Sequence, residues 1–196
     1  MKFKLLIAVI LFMQFSTMRA QENSELPYYE ITEYAQNYTA GTVAARLIDG
    51  LGFRYYWVSE ALTSKDLEYR LNEEGRSTLE TLQHIYDLST VIRDAALKVP
   101  HIKETLKKPM TYVELRSETL KNLKTASNII SKEDNLEQFN MVFRSPNGDK
   151  TVPFWNAING PIEDAVWHCG QIAAYRRASG NSISSKVNHF MGTVNN

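Results

Sequence analysis

Three residues of this chain have the side chains and the spacing to act together on one small ligand. Asp164 and His168 stand four apart in 161-PIEDAVWHCGQIAAYRRASG-180, and helical residues three and four apart share a face. Gln171 and Tyr175 continue that face, so Asp164, His168, Gln171 and Tyr175 make one polar stripe. His84 falls on the inward side of a second helical pattern, at or beside the core. Two neutral imidazoles and one carboxylate on a shared cavity suit a divalent transition metal with open positions. The same residues also have an account that needs no ligand. Asp164 lies in the first turn of its helix, where unpaired backbone N–H groups stabilise a carboxylate by about 0.3–1 kcal/mol. A single helical histidine is commonly a hydrogen-bonded core or surface residue. Spacing alone leaves both accounts open.

Other reactive side chains are weaker candidates. Cys169 is the only cysteine and points roughly 100° around the helix from His168, which reads as a buried structural thiol. Arg54-Tyr55-Tyr56-Trp57, with Glu60, could line a pocket mouth, but aromatics on a long helix are more often core. His101 follows Pro100 in a polar linker and His189 lies near the C-terminus; both read as solvated.

Four helical segments and one hairpin are expected to position these residues. The first helix is predicted over Thr39 to Leu62, with Val43, Leu47, Leu51, Tyr55, Val58 and Leu62 as its apolar stripe. Gly50 and Gly52 interrupt it and imply close packing against a neighbour. The second opens on a capping box, Ser77 with Glu80, and places Thr81, His84, Leu88, Val91 and Ala95 on one face. A second capping box, Thr111 with Glu114, opens the third helix after Pro109. Residues 139–155 alternate at Phe139, Met141 and Phe143 around the turn Ser145-Pro146-Asn147-Gly148, the pattern of a β-hairpin or a long ordered connection. A turn of helix is expected near Phe154–Ile158. The fourth helix follows Asn159-Gly160, starts with Pro161 and ends at Gly180, with Arg176 and Arg177 facing its own last carbonyls.

The whole chain narrows the function classes. Residues 1–20, MKFKLLIAVILFMQFSTMRA, read as a signal peptide: two early lysines, an apolar run and a cut near Ala20. That run is too short for a bilayer, which takes roughly 20 residues, so export to the periplasm or the extracellular space is expected, without stable membrane insertion after cleavage. About 175 residues remain, one domain's worth: an extension at 21–38, a domain at 39–180 and a loosely ordered tail at 181–196. Lysine plus arginine equals aspartate plus glutamate, 22 each, which gives no electrostatic draw to nucleic acid. A single cysteine forms no intrachain disulfide, so stability rests on packing or on a bound metal.

The segments 84-HIYDLS-89 and 164-DAVWHCGQIAAYRRASGN-181 resemble the DinB-like (YfiT-like) superfamily. There a histidine on the second helix joins two histidines, four apart, on the last helix, the second followed by an xGQI sequence and a later arginine and glycine. His168-Cys169-Gly170-Gln171-Ile172, Arg177 and Gly180 match that pattern, and the helix order fits over nearly all of the chain beyond residue 20. The resemblance implies an all-α, DinB-like four-helix bundle with a short β-hairpin or long connection before the last helix. It implies a metal site of His84, Asp164 and His168 for Ni, Zn, Mn or Fe. It also implies metal-dependent hydrolysis of a small-molecule substrate, or transfer of a low-molecular-weight thiol, with Arg54 or Arg177 as candidate holders of a thiol cofactor's carboxylate. Asp164 departs from the pattern by replacing the first histidine of the pair, and Trp167 stands where a further histidine is frequent. The competing expectation is an exported binding or homodimeric scaffold domain whose metal site has been lost. It would bind through the aromatic face of the first helix, the 139–155 hairpin or exposed helix faces.

Overall fold

The structure, a computed structural model, describes residues 26–103 and 109–195. The expected signal peptide lies outside the described residues. The molecule is mostly helical with a few short strands. Helices α1 (Ala40–Val58), α3 (Thr78–Leu97), α4 (Tyr112–Ile130) and α6 (Glu163–Ser179) are long; α2 (Ser64–Glu68) and α5 (Trp155–Ala157) are short. The strands are β1 (His101–Ile102), β2 (Met141–Arg144), β3 (Lys150–Val152), β4 (Val187–Asn188) and β5 (Thr193–Val194). No described helix is long and apolar enough to cross a membrane.

The long helices close a ring: α3 on α4, α4 on α1, α1 on α6 and α6 on α3. Their apolar stripes meet in one core of Ile48, Leu51 and Tyr55 from α1, Leu82 and Ile85 from α3, Leu115 and Leu120 from α4, and Ile172 from α6. Each such side chain contributes about 1.5–3 kcal/mol when taken out of water. Tyr55 and Tyr56 are core, while Arg116 of α4 lies over the Tyr56 ring and pairs with Glu60. The first helix ends earlier than its pattern suggests and is rotated against it. Helix α1 stops at Val58, and the chain turns through Ala61 (φ 51) into α2, whose own capping box joins Thr63 and Asp66. Val43 and Leu47, expected in the core, are 49% and 44% exposed, and Ala44 and Ile48 take the inward positions. The spacing of the stripe was correct; its width could not say which edge faced inward.

The hairpin forms as expected: β2 and β3 pair antiparallel, Met141 opposite Val152, with Gly148 in the turn at φ 111. β1 adds in parallel, His101 beside Phe143. His101 is therefore not solvated. Its Nδ1 lies 2.9 Å from Asp94 Oδ2, and its ring packs edge-on against Phe143.

Both ends of the described chain are tied to α1. Tyr28 is buried where Gly52 leaves room, since a Cβ there would collide with its ring. Arg46 donates to the Ile31 carbonyl at 2.8 Å and Trp57 Nε1 to that of Tyr29 at 3.2 Å. The tail is not loose throughout, because β4 and β5 form a hairpin and Ile31 N–H donates to Gly192 O at 2.9 Å. His189 on that hairpin is exposed, with its ring edge-on to Phe53.

At the far end, α6 is locked by polar groups. Arg176 donates from Nε to Asn181 O (2.7 Å) just past its own helix and also reaches another element. It is buried and donates to the carbonyls of Trp57 (2.8 Å), Val58 (3.2 Å) and Glu60 (2.9 Å), the end of α1. Arg177 is exposed. Beside Arg176, Asp66 is buried, which by itself would raise its pKa. Hydrogen bonds from Ser179 Oγ, Asn181 Nδ2 and both Thr63 donors outweigh that and hold the carboxyl well below the usual range. Its stabilisation is therefore complete above the unfolded Asp value, about 3.9, and fades as pH falls through the depressed folded value. Asp66→Asn should cost about 1–3 kcal/mol at neutral pH, and the difference from wild type should narrow in acid. Denaturant unfolding at a series of pH values measures both; a gap independent of pH would mean that the charge of Asp66 contributes nothing.

Candidate metal centre

Three long helices begin with side-chain capping boxes: Thr39 with Thr42, Ser77 with Glu80, and Thr111 with Glu114. Helix α6 does not. Its N-cap is Ile162, which has no side-chain cap hydrogen bond. The chain enters α6 from α5 through a π-helical turn, Ile158–Ile162, that carries Pro161 and the non-helical Gly160. Glu163 N–H consequently finds backbone acceptors in Gly160 and Ile158, and Pro161 has no N–H to satisfy. Asp164 stands with Glu163 in the acidic first turn of α6, and among the described residues its carboxylate takes no backbone N–H hydrogen bond.

Its oxygens turn to two imidazoles. His84 Nε2 of α3 lies 3.3 Å from Asp164 Oδ2, and His168 Nε2 lies 3.4 Å from Oδ1. The imidazole rings stand nearly perpendicular, 83° between planes with centroids 4.7 Å apart. One donor atom from each residue lies within 4.8 Å of the others. Small side-chain rotations would bring three such donors onto one ion at roughly 2.0–2.2 Å. All three side chains are part-buried, walled by α3 and α6 and open to solvent on one side. The structure thus brings together all three residues singled out from the sequence.

The polar stripe continues as a relay. His168 Nδ1 is 2.9 Å from Gln171 Oε1, and Gln171 Nε2 donates to Tyr175 OH at 2.8 Å. Tyr175 is buried against the Tyr69 ring. With Gln171 in this orientation its oxygen faces His168 Nδ1, which leaves Nε2 of the same ring facing Asp164. The contacts of 3.3 and 3.4 Å are longer than the 2.7–2.9 Å or so of a charge-assisted N–H···O bond. That spacing suits an ion larger than a proton. No family model matches this chain, and neither a curated protein nor a solved structure does.

The remaining sequence candidates lie elsewhere. Arg54 donates to the Gly50 carbonyl at 2.9 Å and lines a pocket with Val166 and His189 that none of the three triad residues lines. Tyr69, which fixes Tyr175, carried no signal in the sequence, because the two meet only through α2. Cys169 is buried within the core, and desolvation pushes its thiol up to about 12. At pH 8 only about one molecule in ten thousand would carry the thiolate, against roughly a quarter for a free cysteine of pKa near 8.5. An alkylating reagent should therefore leave native protein unlabelled at that pH and modify it completely after denaturation. Rapid modification of the folded protein would show that Cys169 is accessible and reactive.

Proposed function

We propose that this chain is an exported, divalent-metal-dependent enzyme of DinB-like four-helix architecture that acts on a small molecule. The metal, Ni, Zn, Mn or Fe, would be held by His84, Asp164 and His168. The observation that carries this reading is the uncapped start of α6, where Asp164 spends both oxygens on two Nε2 atoms rather than on backbone N–H groups. The donor set fits a borderline divalent ion, and three protein ligands leave positions for water and substrate. The Gly-Gln-Ile resemblance supports the same site, and Gln171 supplies the outer hydrogen bond that orients a ligating histidine.

When bound, the ion would polarise a substrate oxygen or lower the pKa of a bound water. The chain's own residues orient and exclude. Gln171 holds the His168 ring through Nδ1, Tyr175 fixes the Gln171 amide, and the core behind α6 keeps water from the rear of the site. Cys169 offers no nucleophile, so the attacking group comes from solvent or from a second substrate. That agrees with either reaction implied by the resemblance, hydrolysis or thiol transfer.

Protein purified without a histidine tag should hold close to one equivalent of a divalent transition metal after reconstitution. His84→Ala and His168→Ala should abolish it while leaving the helical circular dichroism unchanged. Asp164→His should retain metal with an altered preference. Gln171→Leu should weaken affinity by about 10–100-fold without removing any ligand. Wild-type protein that takes up no metal would refute the site and leave the non-catalytic binding domain as the reading.

A further inference from the structure

A large cavity among the described residues lies away from the histidines. It is a groove of about 780 Å³ between the N-terminal half of α1, the connection at 134–140 and α5. Its walls are Val43, Leu47, Leu136, Phe154, Trp155 and Ile158, and none of the three candidate metal ligands lines it. The volume falls within the roughly 300–1,000 Å³ of small-molecule sites. The groove accounts for an anomaly of α1, whose regular apolar stripe leaves Val43 and Leu47 outside the core. Trp155 beside them is 78% exposed, which is unusual for the largest apolar side chain unless it meets something.

The charged groups of the groove all have one sign. Asp134 and Glu137 stand at its rim, and no lysine or arginine lines it. Among the described residues neither carboxylate takes part in an ion pair, and Glu137 receives only a 3.4 Å contact from the Asn135 amide. The aromatic faces of Trp155 and Tyr38, also lining residues, favour cations over anions. We infer that this groove binds an amphipathic ammonium compound, its alkyl body against Leu47, Leu136 and Phe154 and its charged head between Trp155 and the Asp134/Glu137 rim. An anionic amphiphile of the same length would meet uncompensated negative charge, and a neutral one would lose the head-group contacts. This inference does not rest on the metal site.

Isothermal titration of the full chain with decyltrimethylammonium, decyl sulfate and decyl maltoside, each below its micelle concentration, tests the inference. The ammonium compound should bind saturably, one per chain. The sulfate and the maltoside should bind about tenfold or more weaker, the cost of one lost cation contact of about 1.4 kcal/mol. The exposed double variant Asp134→Asn, Glu137→Gln should bring the ammonium compound down to the maltoside's affinity, and Trp155→Ala should weaken it as well, both with unchanged circular dichroism. Sulfate binding as tight as ammonium binding, no saturable binding, or unaltered affinity in both variants would overturn the inference.

Discussion

One guanidinium governs where the last helix can sit. Arg176 occupies the end of α1, where helical carbonyls have no partner within their own helix, and satisfies two of them, Trp57 and Val58, together with the Glu60 carbonyl just beyond. Burial lowers the pKa of this arginine, with Asp66 next among its causes and acting to raise it, and the side chain stays charged. A charge that is buried and fully hydrogen-bonded tolerates little displacement, so this contact sets the axial and rotational position of α6. Each helical residue turns about 100°, which places His168 roughly 80° around the helix from Arg176. With Arg176 aimed at α1, the Asp164–His168–Gln171–Tyr175 face has to look toward α3, where His84 waits. The geometry of the candidate centre is thus decided at the opposite end of its helix.

The entry to α6 supplies the other half of the constraint. At α1, α2, α3 and α4 a Ser or Thr closes the first helical turn, and the acid or hydroxyl three residues later closes it in return. The π-helical turn before α6 feeds backbone acceptors into that position instead. Asp164 keeps its place in the acidic first turn of α6, and its two oxygens face two imidazoles. The first-turn position and the imidazole contacts are both consequences of the five residues that lead into the helix.

Legibility followed range. The capping boxes at Ser77 and Thr111 are encoded within four residues and were readable, as were the turn at Ser145–Gly148 and the αL end at Gly180 (φ 94). The box at Thr63–Asp66 was equally local, yet it was hidden by an apolar period that carried helix one on to Leu62. The His84–Asp164–His168 cluster was legible as three inward or polar positions. That Arg176 serves another helix and that Val43 and Leu47 line a groove are long-range facts without a local signature, and His101 meets Asp94 only because the chain reverses after α3 into β1. Periodicity identifies a face of a helix but not which neighbour covers it, and that limit accounts for the rotation of α1 against its predicted stripe.

The clasp between Ile31 and Gly192 joins residues near opposite ends of the described chain. A polypeptide that emerges vectorially, from a ribosome or through a translocation pore, can form α1 early but cannot cover its outer face until the β4–β5 hairpin has followed. Until then Phe53 lacks the His189 ring that meets it in the finished fold, whereas Trp57 is already met by Tyr29 from the segment before α1. Closing contacts of that sequence separation is slow in loop entropy, though the cost grows only logarithmically with length. The clasp and the neighbouring bond from Val194 N–H to Glu30 are therefore among the last native contacts available to form.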